Sequence, residues 1–462
     1  MTGTSYDRLT KHASGSFSEF FWLIIPLVLS NVSRGTMFLV DRLVLVNYSM
    51  ESVNALTAAG TNFAVITLGI YGVVGISQVF AAQLNGARKY TQVASPIWQM
   101  IWLSLIINIL TIPLGAFLPD YILAPLVREE GRIYYSWGMY FVFPMGVVVA
   151  LNSFFTAIGR TGIVTFGAIL ANVINAGACV ILALGCGGFV EPMGIKGAIL
   201  STIVAEFFEA LVLLAIFFHP KFRKRYGTTQ CFFRPKLFIT CIKVGLPSSV
   251  MHMMELSAWG AVSYIIASMG FVHMSTFSVF HTLFVFAAHV IGGVERGVSS
   301  LVANALGSRE LVYVKRALWN GILFMGLSVF FLIGPVALFP DFVIDRLVCE
   351  NMNPMDYARI IEAVKVSLVL IGLYAFADGF GWIFAGVLTA AGDTRFLMIA
   401  NTINVWIFGV LPIYFMNRYV YVAPEYTWVT QSGFVIANII VFMWRFHQGI
   451  WRTSNLTKNM NS

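Results

Sequence analysis

Charge is what this chain has least of. Only 11% of its 462 residues are Asp, Glu, Lys or Arg, against 58% hydrophobic. A soluble domain carries about 25% charged residues. The polar surface is too small to cover a water-soluble globule. Cysteine is also scarce. The five cysteines are odd in number and scattered, with no CxxC and no Cys/His cluster, which argues against a disulfide framework or a structural metal site. HExxH and GxSxG are absent, which disfavours an intramembrane protease or acyltransferase. No segment alternates apolar and polar residues over the ~10 residues that a membrane β-strand needs. Low-complexity tracts are missing too. The first apolar stretch runs past any plausible cleavage site, so no cleavable signal peptide is expected.

What remains is a series of apolar runs. Crossing a bilayer core takes about 20 apolar residues in a helix. Twelve segments qualify, near 17–45, 52–83, 94–118, 134–158, 162–185, 193–218, 238–268, 272–304, 316–339, 360–390, 396–417 and 427–446. Several exceed the required length, which implies tilt or extension beyond the membrane.

The two halves echo each other. Pro26 and Pro247, Gly72 and Gly293, Ala82 and Ala303, Gly86 and Gly307, and Arg88 and Arg309 all share one offset. Further on, Ala171-Asn172-Val173-Ile174-Asn175 recurs as Ala400-Asn401-Thr402-Ile403-Asn404. Each copy follows a polar turn, Gly159-Arg160-Thr161 or Gly392-Asp393-Thr394. Duplicated halves in an apolar chain mark a transporter built from two repeats. The expected fold is an all-α integral membrane protein with twelve transmembrane helices. They form two six-helix bundles related by a pseudo-two-fold axis, over 1–218 and 238–462, joined by a linker at 219–237.

The net charge of +8 invites a nucleic-acid reading, and its distribution rejects it. With a cytoplasmic N-terminus, nineteen of the 29 Lys and Arg fall on cytoplasmic ends and loops. These include Arg8, Lys11, Arg88, Lys89, Arg160, the seven between Lys221 and Lys243, and Lys458. That bias places both termini in the cytoplasm. The basic 219–237 stretch is the longest cytoplasmic loop, where Lys and Arg also meet anionic lipid.

Ionisable residues inside the segments carry the functional signal. A charge at a helix centre costs at least about 2.5–3.5 kcal/mol on insertion scales, so each needs a partner or a watery cavity. The candidates are Arg34, Asp41 and Arg42 in segment one and Glu206 and Glu209 in segment six. Segment seven adds His252 and Glu255, segment eight His281, His289, Glu295 and Arg296, and segment ten Asp378.

Several of these lie in recognisable patterns. Segment one runs from Pro26 to Asp41. Segment seven opens Gly245-Leu246-Pro247 and reaches Glu255. Segment ten holds Tyr374 and Asp378 ahead of Gly392-Asp393-Thr394-Arg395, and segment two closes on Gln83-Leu84-Asn85-Gly86-Ala87. In order and spacing these resemble the multidrug and toxic compound extrusion (MATE) family, and its NorM-like bacterial branch best. The resemblance covers nearly the whole chain. It implies a cation-coupled antiporter that extrudes amphipathic, often cationic, organic compounds by alternating access of two rocking bundles. It also implies a bacterial inner-membrane location, membrane lipid and small organic molecules as the partners, no nucleic acid, and no cofactor beyond Na⁺ or H⁺ as coupling ion. A monomer is expected. A flippase for a lipid-linked precursor is the alternative within the same superfamily.

Glu255 and Asp378 are two carboxylates in one bundle. Tyr374 sits one turn before Asp378 on the same helix face. Close carboxylates repel, and a proton or small cation relieves them. Oxygen ligands suit a hard cation such as Na⁺. The resemblance implies the same set, Glu255, Tyr374 and Asp378, for cation binding. The competing reading is interhelical hydrogen bonding with no ion. Asp41 is, by resemblance, a coupling acid of the N-terminal bundle; alternatively it pairs with its neighbour Arg42.

Arg34 departs from the family, which tends to have an uncharged polar residue there. Under the repeat offset it corresponds to Glu255, so an Arg34–Glu255 pair is expected, with Asp41 as second choice and a substrate contact as a third. Glu206 and Glu209 fit no family pattern and read as a solvated edge or as partners of a basic group. Arg34, Met251, Met254, Asn175 and Trp382 are the candidates for lining a substrate cavity. The duplicated Asn172/Asn175 and Asn401/Asn404 suggest a shared architectural role, with cavity polarity as the functional alternative.

Overall fold

A computed structural model describes residues 9–347, 353–420, 422–454 and 456. Arg8 and Lys458 of the basic tally lie outside them. Among the described residues there is no strand, only one isolated bridge between Cys186 and Val190. The membrane helices are α1 (Phe17–Val46), α2 (Met50–Gly86), α3 (Tyr90–Phe117), α4 (Arg128–Tyr140 and Val142–Ala157), α5 (Thr161–Leu184) and α6 (Ile195–Phe217). The second half supplies α7 (Pro235–Met269), α8 (Phe271–Ser308), α9 (Val312–Leu338), α10 (Pro354–Ala390), α11 (Thr394–Tyr419) and α12 (Pro424–His447). Eleven are single spans and the twelfth, α4, is bent by 51°. Pro144 supplies a reason for the bend: it cannot donate to the carbonyl of Tyr140. The Asn108 side chain accepts from the N–H of Phe143 at 2.8 Å beside the break.

The outward surface is what a lipid environment selects. Ile109, Leu110, Phe330, Phe331, Val369 and Leu373 are all exposed. In water, so large an apolar surface would aggregate.

The linker is shorter and more ordered than the composition suggests. A short helix, Pro220–Tyr226, follows α6, and α7 starts at Pro235. The segment is tied to α3: Trp98 donates to the Thr228 carbonyl at 2.8 Å and Gln99 to that of Phe232 at 3.0 Å.

The duplicated residues mark the seam between the halves. The first helix of each half packs on the second helix of the other, α1 on α8 and α7 on α2. A Cβ at Gly72 would lie 2.6 Å from the backbone of Ser249, and one at Gly293 would lie 2.7 Å from that of Val28. Gly86 and Gly307 are tighter still, against the carbonyls of Asn304 and Gln83. Only glycine lets two backbones approach this closely. Beside them Asn85 donates to Asn304 at 2.8 Å, and Gln83 donates to the Ala390 carbonyl at 2.8 Å. Arg88 and Arg309 end the two second helices with matching φ of 59° and 61°. The halves are thus locked together at the end of the molecule where α1 begins and α12 ends.

This lock is testable. Gly307→Leu has no room without parting α2 from α8. It should lower the melting temperature in detergent and raise maleimide labelling of a cysteine placed at Ala82. Unchanged labelling would mean that the seam tolerates the side chain.

Candidate ion and substrate sites

Each half holds one of its acids with an asparagine from the repeated motif. In the N-terminal half Asn175 of α5 donates to Asp41 Oδ1 at 3.2 Å, and Thr202 of α6 donates to Oδ2 at 3.1 Å. Asp41 is 2% exposed. Arg42 points outward and is exposed, so Asp41 is held by α5 and α6 rather than by its neighbour. One turn earlier Asn172 donates to the Ser33 carbonyl and to Thr36 Oγ1, both at 2.6 Å. The C-terminal half repeats the device. Asn401 of α11 donates to Glu255 Oε2 at 3.2 Å. Asn404 donates to Asn438 at 2.9 Å, and Asn438 returns a bond to Asn401 at 2.7 Å. The duplicated asparagines therefore tie α5 to α1 and α11 to α7, and each pair also orients a carboxylate, buried Asp41 in one half and half-buried Glu255 in the other.

Hydroxyls do the same near the two prolines. Thr165 of α5 donates to the Pro26 carbonyl and Thr394 of α11 to that of Val244, both at 2.5 Å.

Glu255 of α7 and Tyr374 and Asp378 of α10 come together in the C-terminal half, within electrostatic reach of one another. Tyr374 and Asp378 are 5% and 6% exposed. Phe280 and Phe284 of α8 pack edge-on against the Tyr374 ring at 6.0 and 5.2 Å. No salt bridge to Glu255 or Asp378 occurs among the described residues. Two carboxylates and a phenol, walled by aromatic rings, form an oxygen-only donor set. Such a set fits a hard monovalent cation or a proton.

Arg34 is elsewhere. Its guanidinium lies 2.7 Å from Glu209 Oε1 and 3.3 Å from Glu206 Oε1, both on α6, and donates to the Tyr71 hydroxyl at 3.3 Å. The expected Arg34–Glu255 pair does not form. The repeat offset places the two at equivalent positions of two helices, but each side chain turns into its own half. There the nearest compensating groups are the α6 glutamates for Arg34 and Asn401 for Glu255. Glu206 and Glu209 are partners of a basic group, not a solvated edge. The signal was legible: two acids at i and i+3 share a helix face, and the N-terminal half had an intramembrane cation to match.

The remaining cavity candidates separate. Met251 is 3% exposed and packed into the main core. Met254 is half-buried. Trp382 stacks on His252 with ring centres 5.8 Å apart. Asn175 is fully buried against Asp41.

A family model, MatE, matches residues 26–181 and 247–415. The two matches are the two halves. A probable multidrug resistance protein NorM from Rhizobium meliloti is 24% identical over 459 residues, covering 95% of this chain and 94% of that protein. A multidrug resistance protein NorM from Photobacterium profundum is 24% identical, covering 91% of each. Among solved structures, an outward-facing multidrug resistance MATE transporter of the MOP superfamily superposes with a TM-score of 0.81 at 17% identity over 100% of both chains. A MOP superfamily transporter from Pyrococcus furiosus gives 0.81 at 18% identity over 99% of both chains; its binding pocket is described as of reverse polarity, suggesting a different function. By that family match the protein is a membrane transporter, not an enzyme. The chain belongs to the MatE family.

Proposed function

We propose that this protein is a multidrug efflux antiporter that exports amphipathic, often cationic, organic compounds in exchange for inward Na⁺ or H⁺. The observation that carries the reading is the C-terminal cluster of Glu255, Tyr374 and Asp378, whose two carboxylates, one half-buried and one buried, have no salt-bridge partner among the described residues. Binding a cation there removes the repulsion between two carboxylates. Asp41, oriented by Asn175 and Thr202, is the matching acid of the N-terminal lobe. The relatives named as multidrug resistance proteins support the substrate class. A flippase would use basic intramembrane residues to meet an anionic lipid-linked substrate, and one of them, Arg34, is already engaged by two glutamates. Alternating access follows by rocking the halves about the seam, which in this conformation is closed at the end where α1 begins and α12 ends. The test is uptake of ethidium into proteoliposomes under an imposed Na⁺ gradient and, separately, a pH gradient. Transport under neither gradient would overturn the coupled-antiporter reading.

Orientation is part of the proposal, with both termini and the linker cytoplasmic in a bacterial inner membrane. Two native cysteines test it. Cys231 lies in the linker and Cys186 in the loop at the far end of α5, and both are exposed. In intact cells a membrane-impermeant maleimide should label a variant keeping only Cys186. It should spare one keeping only Cys231, which should react in inverted vesicles. The opposite pattern inverts the topology.

A further inference from the structure

The Arg34 cluster is built with one negative charge too many. Glu206 and Glu209 are 6% and 1% exposed, and their only salt-bridge partner among the described residues is one guanidinium. Each glutamate gives Arg34 its Oε1 atom. The Oε2 atom of each is buried with no hydrogen-bond partner. A third orphaned acceptor is Oδ1 of Asn152 on α4, whose own Nδ2 reaches Glu209 Oε1 at 3.5 Å. On the remaining side Gly167 of α5 presents no side chain; a Cβ there would stand 3.2 Å from Glu209 Oε1. The charged and titratable groups facing the pair are Arg34 from α1 and Tyr71 from α2, with Arg296 of α8 acting on both of these. Among the described residues, a second positive charge for the second carboxylate is missing.

An uncompensated buried carboxylate costs several kcal/mol, whereas a carboxylic acid is neutral and can donate to an acceptor. With one Oε2 protonated as the donor, the other glutamate's Oε2 and Asn152 Oδ1 remain as orphaned acceptors. A metal cation is the poorer solution, because it would have to sit beside the guanidinium that already holds both glutamates. We propose that Glu206 and Glu209, held by Arg34, form a second proton-carrying site in the N-terminal lobe, binding one exchangeable proton. This rests on the antiporter reading for its role in transport, but not for its existence. Arg34 is half-buried and the most accessible member, its side chain 16% accessible against 7% for that of Glu206 and 0% for that of Glu209, so the proton reaches water past Arg34. Arg34 also stands beside the moving seam: the adjacent Gly35 packs on His289 of α8. Rocking of the lobes would therefore alter access to the cluster.

Difference infrared spectroscopy of the purified full-length protein between mildly acidic and mildly alkaline pH tests this without any substrate. The background is the variant carrying Asp41→Asn, Glu255→Gln and Asp378→Asn, which silences the other proposed acids. It should retain a reversible protonated-carboxyl band. Adding Glu206→Gln or Glu209→Gln should abolish that band; either change leaves Arg34 paired with one carboxylate, so one folded variant suffices. Glu206→Asp should retain it. A band unaltered by both amide substitutions, or no reversible band at all, overturns the proposal, the latter meaning a structural acid that never exchanges. Loss of the band on adding Na⁺ at constant pH would assign the cluster to a metal cation and overturn it as well. Failure of the ethidium assay with this band intact would sink the antiporter reading alone.

Discussion

Asp378→Asn and Glu255→Gln should each abolish ion-coupled efflux in proteoliposomes while the protein stays folded. The reason lies in the C-terminal cluster. Asp378 and Glu255 are its two carboxylates, and a bound cation is held by their mutual repulsion as much as by either one. Making one an amide removes that repulsion, and with it the driving force for taking up a proton or Na⁺. Folding should survive because the substitutions preserve shape. The amide oxygen introduced at position 255 can still accept from Asn401, which now donates to Glu255 Oε2 at 3.2 Å. Tyr374→Phe should do less. It removes one uncharged oxygen, worth about 0.5–1.5 kcal/mol net, or up to about tenfold in ion affinity. The measurement is ethidium efflux at several Na⁺ concentrations and pH values. Wild-type rates in both acid-to-amide variants would refute the C-terminal ion site.

The second large effect concerns stability. Arg34→Gln removes the shared partner of Glu206 and Glu209 at once. Breaking a buried ion pair from one side costs about 3–5 kcal/mol, because the orphaned charge stays in low dielectric. Arg34→Gln should therefore melt well below wild type in detergent. Arg34→Gln combined with Glu209→Gln should recover much of the loss, since Glu209 makes the shorter contact, 2.7 Å against 3.3 Å for Glu206. Arg34→Gln with Glu255→Gln should be additive, because those two sites share no partner. Coupling of Arg34 to Glu255 and not to Glu209 would contradict the cluster.

The duplicated residues show how a sequence pattern becomes geometry. Pro26/Pro247, the paired glycines and the asparagine motifs align from the order of residues alone. Their purpose does not emerge from that alignment. Gly86 and Gly307 mark where α2 and α8 touch backbone to backbone, and the asparagines hold α1 and α7. Such pairings join residues far apart in the chain, and nothing in local periodicity names the neighbour.

The sequence by itself determined the class: membrane-spanning, helical, two-fold repeated and a transporter. Those properties follow from hydropathy, segment length and internal similarity, all of which are one-dimensional. It also singled out the acids, because burying a charge in lipid is costly enough that few positions bear one. Only the tertiary structure decided who pairs with whom. Symmetry between the halves suggested Arg34 opposite Glu255, yet the packing of α6 against α1 brings Glu206 and Glu209 within reach of the guanidinium first. A buried charge takes the nearest compensating partner, and nearness is set by helix rotation and crossing, which sequence spacing does not encode.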